Sequence, residues 1–272
     1  TENAAIFNED SLRLYSAVIF LNVTGNVLDP FQQAEFERYI QAGGGFMGIH
    51  AAADCEYGWP WYGKLVGAYF KSHPKIQHAK LNVVDKTHPS TAHLPDIWER
   101  TDEWYNFKKV PSDSNVKVLI RIDEKSYEGG ENDNNHPMAW YHDFDGGRSF
   151  YTGMGHTDES FVDPQYLDHV YQGLVYTMGK GKPDFSKARA KRTPEENRFT
   201  KVVLGYNLDE PTEMAILPDS RIIFIERKGA VKLYDPKTDT ISLINTFNVG
   251  TKFEDGMLGI TTDPDFDKNN WV

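Results

Sequence analysis

Nine histidines occur in this chain, and all of them precede residue 170. Histidine is the usual proton donor and acceptor near neutral pH and the commonest metal ligand. His50, His73, His136 and His156 each sit beside glycine, proline or a strand end, where backbone geometry presents a side chain. Singly, each reads as a hydrogen-bonded structural residue; together they point to a shared site. His50 lies within GGGFMGIHAAAD, residues 43–54, in which an apolar strand delivers it into a tight turn of small residues. Such a turn lifts its apex side chain to the carboxyl end of a parallel sheet, where doubly wound folds bind ligands. The competing reading is a glycine-rich turn whose histidine caps the next helix. His156 ends the segment 136–156, which reads as a strand, a DGG turn, a second strand flanked by Arg148 and Tyr151, and a glycine release.

Carboxylate partners are available in TDEWYNF (Asp102, Glu103) and in IDEKSY (Asp123, Glu124), with a solvated loop as the alternative for each pair. His50 and His156 are assigned as general acid or base, with Glu103 as their carboxylate partner. A divalent metal is the candidate cofactor, and His50, His136 and His156 are its candidate ligands. Trp59, Trp61, Tyr62, Trp104, Tyr105 and Trp140 fall beside these polar motifs. Aromatic faces stack on the apolar faces of sugars while Asp54, His136 and Arg148 are placed to bind hydroxyls, a combination that suits a carbohydrate. Core packing is the competing reading for half of the aromatics. Cys55, the single cysteine, reads as a small buried hydrophobe and not as a nucleophile. No GxGxxG after a strand, Walker loop, HExxH or GxSxG occurs, which counts against dinucleotide, nucleotide, zincin and serine-hydrolase chemistry.

These residues need a scaffold. Strands are expected at 17–22, 45–49, 79–84, 116–123, 138–142 and 149–152, with helices at 30–41 and 165–178. Asp29 as N-cap and Pro30 at the first helical position open the first helix, and the glycines from Gly43 stop it. Strand, helix, strand is βαβ grammar, and a right-handed crossover puts His50 at the carboxyl end of the second strand. Residues 179–198 are basic, poor in large apolar residues and punctuated by proline, and read as a solvated linker. Short strands follow at 201–204, 213–216, 221–226, 230–234 and 241–247, the spacing of an antiparallel propeller or sandwich. A net charge of −11 disfavours nucleic acid and anionic membrane, and no apolar run is long enough to span a bilayer. A neutral polar small molecule fits better.

The motifs FLNVTGNVLD, QQAEFERYIQAGGGFMGIHAAAD, WPWYGKLVGAYFKSHP, DEWYNF, HPMAWYH, GGRSFYTGMGHTDESF and YQGLVYTMG together resemble the ThuA family, named for trehalose utilisation, over residues 1–179. The resemblance implies an α/β, flavodoxin-like three-layer sandwich related to class I glutamine amidotransferases, and a role in sugar metabolism. ThuA-like domains usually begin with a further strand and helix, so the amino end reads as cut and the 17–22 strand is expected to have an exposed edge. Amidotransferase relatives carry a nucleophilic cysteine where this chain has His50, which opposes glutaminase chemistry. Beyond a linker at 180–197, residues 198–272 resemble the beginning of a quinoprotein glucose or sorbosone dehydrogenase, through MAILPDSRIIFIERKGAVKLYD and FEDGMLGITTDPDFDKNNWV. That resemblance implies a truncated all-β propeller segment, inactive alone. In the intact propeller the cofactor is pyrroloquinoline quinone with calcium, and Glu254 is its cofactor-binding candidate here.

The leading expectation is a sugar-processing protein, periplasmic or secreted, whose first domain binds or transforms a sugar or glycoside and whose propeller oxidises one. The alternative is a non-catalytic carbohydrate-binding module that depends on Trp59 and Trp61. The sequence leaves the sugar, the reaction and the oligomeric state open.

Overall fold

The computed structural model describes residues 3–133, 135–192 and 200–272. The chain divides into two units, Thr1–Glu195 and Glu196–Val272. In the first unit the strands are β1 (Ala17–Leu21), β2 (Gly45–Ile49), β3 (Phe70–Ser72), β4 (Gln77–Val83), β5 (Ile97–Asp102), β6 (Asn106–Phe107), β7 (Lys117–Ile122), β8 (Pro137–Phe144) and β9 (Gly147–Thr152). Its α-helices are α1 (Glu9–Leu12), α2 (Pro30–Gln41), α3 (Pro60–Val66), α4 (Pro89–Ala92) and α5 (Pro164–Met178). Seven strands form one sheet in the order β1-β2-β9-β8-β7-β4-β5, and β3 pairs with β6 apart from it.

The sheet is mixed, not wholly parallel. β1, β2 and β9 run parallel, whereas every later neighbour, from β9–β8 to β4–β5, is antiparallel. Four reversals of direction return β5 to the sense of β2 and β9. His50, Gly153 and Glu103 therefore all leave the sheet at the same end.

α2 forms where its sequence signals place it. Asp29 and Gln32 make a reciprocal capping box, and Pro30 occupies the first turn. Successive residues of β2 face opposite ways. Phe46 packs on Phe36 of α2 and Tyr62 of α3, while Gly45 meets α5 on the other face. A Cβ on Gly45 would lie 2.2 Å from the Thr177 carbonyl oxygen, so glycine is what lets α5 approach this closely. Helices thus cover both faces of β2, all of whose residues are buried. The β8–β9 hairpin turns at Asp145 and Gly146, with φ of +48° and +101°, the backbone form that DG favours. β1 is the last strand of the sheet on its side and leaves Ile19 and Leu21 exposed.

Residues 180–192 are not a solvated tether. The Asp184 N–H donates to the Ala42 carbonyl (2.7 Å), Arg189 pairs with Asp145, and Arg192 Nε donates to Glu35 Oε1 (2.7 Å). The cause is Glu35, a fully buried carboxylate on α2 that needs a cationic partner. Residues 193–197 of the expected linker lie outside the described residues.

The second unit is one antiparallel sheet of β10 (Pro211–Ile216), β11 (Ile222–Glu226), β12 (Ala230–Asp235) and β13 (Thr240–Thr246), in that order. Leu217, Ile223, Ile225 and Val231 form its small core. Among the described residues the sheet is open, and no barrel or propeller closes. Residues 201–204, expected as a strand, have no strand structure, and Val202 and Val203 are exposed instead of packed.

Candidate functional site

The backbone turns sharply where β2 ends. His50 opens a short 3-10 helix, His50–Asp54, with φ of +47°, a conformation uncommon outside glycine. Two hydrogen bonds hold it: Tyr151 Oη donates to the His50 carbonyl (2.8 Å), and His50 Nδ1 donates to the Gly153 carbonyl (2.9 Å). A carbonyl only accepts, so the proton on Nδ1 is fixed and Nε2 is turned toward Glu103, 3.2 Å from its Oε2.

Glu103 follows β5 and is delivered by its neighbour Asp102. The fully buried Asp102 carboxylate accepts the N–H groups of Gly155 (2.9 Å) and His156 (3.0 Å) and the Ser160 hydroxyl (3.1 Å), and pairs with Arg100 (3.3 Å). It thereby ties the end of β5 to the turn after β9. His156 Nδ1 comes within 3.5 Å of Glu103 Oε2, and His73 Nδ1 lies 3.1 Å from Oε1. The ligand atoms of His50, Glu103 and His156 lie within 4.8 Å of one another, close enough to share one ion. His50 and Glu103 are buried, whereas the side chains of His156 and His73 are 42% and 43% exposed. The site therefore has a dry floor and an open rim.

Burial pushes the Glu103 carboxyl upward, but its hydrogen bond with His50 and the charges of His156, His73 and His50 outweigh that and hold it below the usual carboxylate range. Glu103 is thus an ionised base facing three histidines. The Tyr105 ring packs 4.0 Å from the His50 ring, centroid to centroid, and burial followed by the charges of Glu103 and Asp54 raises its phenol. Asp54 stands at the end of the turn, bonded to the Tyr57 hydroxyl.

Several expected residues lie elsewhere. His136 is fully buried with both ring nitrogens engaged, Nε2 on the Tyr105 carbonyl (2.8 Å) and Nδ1 on Glu124 (2.8 Å), so it props Tyr105 and is not offered to the site. Trp140 is core, stacked on Tyr151 with its Nε1 on the Val66 carbonyl. Trp59 and Trp61 stack on each other and meet Phe36 edge to face, and their Nε1 groups bond Glu37 and Asp145. Asp145 precedes β9, so Trp61 lies toward the opposite end of the sheet from His50. Arg148, at the start of β9, donates to the Tyr176 carbonyl there. Tyr62 is buried and donates to the Ala52 carbonyl from beneath the turn. The Cys55 thiol beside it is pushed up to about 12, by burial above all, which removes it as a nucleophile. Glu254 is exposed in a turn of the second unit.

His73, grouped by its place before proline in KSHP with the histidines expected to share a site but assigned no individual role, is brought to that site by the fold. It reaches Glu103 because β3 pairs with β6 across Ser72 and Asn106. Asp123 and Glu124 are spent on the local turn: Asp123 caps the segment Glu124–Ser126, and Glu124 holds His136 and the Asn132 N–H.

A mixed α/β sheet with a histidine–carboxylate cluster where its strands end defines the class of protein. Residues 1–177 match the family described as ThuA, trehalose utilisation, and the chain belongs to that family. Residues 208–272 match the family described as glucose/sorbosone dehydrogenase. Among solved structures, a ThuA-like protein from Bacteroides uniformis is similar at 28% identity and a TM-score of 0.57, over 68% of this chain and 79% of that one. A ThuA-like protein from Parabacteroides merdae shares the fold at 19% identity and a TM-score of 0.54, over 70% and 82%. No curated protein matches the sequence.

Proposed function

We propose that the first unit binds a small carbohydrate at the rim formed by His156 and His73 and moves protons at its hydroxyl groups through Glu103, His50 and His156. The observation that carries this reading is the convergence of three histidines on one ionised, nearly buried carboxylate. Membership of a family described by trehalose utilisation, beside a segment matching sugar dehydrogenases, supports a carbohydrate as the partner.

The chemistry follows from the groups present. Glu103 is the base, and His50, fixed by Gly153, steadies it from the buried side. His156, half in solvent, is free to exchange protons with a bound hydroxyl and with water. The ring of Tyr105 gives the floor an apolar face beside the polar one. A binding module built on Trp59 and Trp61 loses its platform, because Trp59 is buried, the half-buried Trp61 is stacked on it, and both N–H groups are already bonded.

The test is calorimetric titration of the chain with mono- and disaccharides, trehalose included, followed by product analysis after incubation. Saturable binding that is lost in His156→Ala and Glu103→Gln supports the reading. Binding unchanged in both variants, or no binding by any sugar, overturns it.

A further inference from the structure

Three potential ligand atoms converge at Glu103. His50 Nδ1 gives its proton to the Gly153 carbonyl, so a neutral His50 turns the Nε2 lone pair toward Glu103 Oε2 at 3.2 Å. In that form two lone pairs face each other, and the gap is filled either by a proton on Nε2, as in the hydrogen bond described above, or by a metal cation. His156 adds a third donor atom, Nδ1, at 3.5 Å from the same Oε2. Metal–nitrogen and metal–oxygen bonds of about 2.0–2.2 Å set the edges of a tetrahedron at roughly 3.3–3.5 Å. The two separations from Glu103 Oε2 match such edges, and the two imidazole nitrogens lie within 4.8 Å of each other, so a bound ion draws the exposed His156 ring inward to close the third edge.

The surroundings have the form of a metal shell. A ligating histidine characteristically donates its other ring N–H to a backbone carbonyl, as His50 does to Gly153. His73 Nδ1 lies 2.9 Å from the Pro74 carbonyl, which makes it a donor, and 3.1 Å from Glu103 Oε1. That proton is spent on Pro74, and His73 borders Oε1 while Oε2 is the oxygen that faces both His50 and His156. Asp102 fixes the backbone of His156 and so the position of its ring.

We propose that His50 Nε2, Glu103 Oε2 and His156 Nδ1 form a three-ligand site for a divalent cation of the zinc class, with the fourth position open toward the exposed rim. Two imidazoles and a carboxylate select a borderline-soft ion over magnesium or calcium. The open position takes a water or a hydroxyl oxygen of the bound partner. His73 is a positioning residue, not a ligand. The inference concerns the same site as the carbohydrate reading but rests on ligand geometry alone.

The experiment uses the full chain, stripped with a chelator and titrated with Zn2+ alone by calorimetry, and with Co2+ by visible absorption. One tight site per chain is expected, with the intense spectrum of four-coordinate Co2+. His50→Ala, Glu103→Gln and His156→Ala should each weaken Zn2+ binding by more than about 100-fold, and His73→Ala by about 10–100-fold, the usual cost of losing an outer-shell partner. His156 is exposed, so its variant stays folded whatever happens to His50→Ala, and near-ultraviolet circular dichroism checks each one. His93→Ala, which removes a surface histidine paired with Asp168, should leave binding unchanged. Absence of a tight site in the folded wild-type chain, unchanged affinity in His156→Ala and Glu103→Gln, or a weak six-coordinate Co2+ spectrum would overturn the proposal. Zn2+ bound without any sugar affinity leaves this inference standing and overturns the carbohydrate reading; sugar affinity without Zn2+ does the reverse.

Discussion

Adjacent carboxylates, Asp102 and Glu103, divide the work of the site. Asp102 is spent on structure, with its acceptor capacity used on Gly155, His156, Ser160 and Arg100, whereas Glu103 faces the histidines. Glu103→Gln keeps the shape and removes the charge, so saturable sugar binding should be lost in calorimetric titration while the denaturation midpoint scarcely moves. Asp102→Ala should cost about 3–5 kcal/mol in urea denaturation, because it leaves Arg100 without its buried partner. Near-equal stability of the Asp102 variant and wild type would show that the carboxylate does not organise the turn. His50 and His156 could be picked out in the sequence because each follows a strand that could be read, whereas Glu103 stood out only as one of a carboxylate pair beside aromatic residues. The aromatic residues misled: tryptophan serves equally as core and as a sugar platform, and only packing decides. Trp59 and Trp140 went to the core, Trp61 packs half-buried against it, and of these rings Tyr105 alone packs on His50.

At the scale of elements, the close approach of α5 to β2 holds the end of β2 in place. Gly45→Ala would push a methyl into the Thr177 carbonyl, and an overpacking cost of about 1–3 kcal/mol is expected in chemical denaturation. A neutral substitution would mean that the helix shifts freely. Helix α2 and strand β2 could be read directly, because the Asp29 N-cap, the proline and the glycine stop agree with an apolar strand of five residues. β5 could not. Its inward positions are Trp98, Arg100 and Asp102, and two charged residues on the buried face hide the alternation that marks a strand. Those inward charges are the ones that anchor the site, so the element hardest to read is the one that delivers Glu103. Residues 180–192 were misread for a related reason: basic composition suggests solvent, but the buried Glu35 recruits Arg192.

The first unit as a whole carries buried histidines that resist protonation. Burial lowers His88, His142 and His169, the last to about 3 from an ordinary 6.5. Unfolded chains bind these protons as pH falls below about 6.5, whereas the folded unit does not. Stability should therefore be highest above pH 6.5 and decline steadily toward pH 3, with the depressed Glu103 adding to the loss below its ordinary 4.5. Urea midpoints measured from pH 8 to pH 4 should show the decline, and a flat profile would contradict it. The central claim, that the histidines gathered around Glu103 receive a carbohydrate, is tested most directly by recording imidazole 15N resonances of the full chain during sugar titration. Saturable shifts of His50, His73 and His156, with His136 and His169 still, are predicted; no saturable response to any sugar, or shifts confined to histidines away from Glu103, would contradict it.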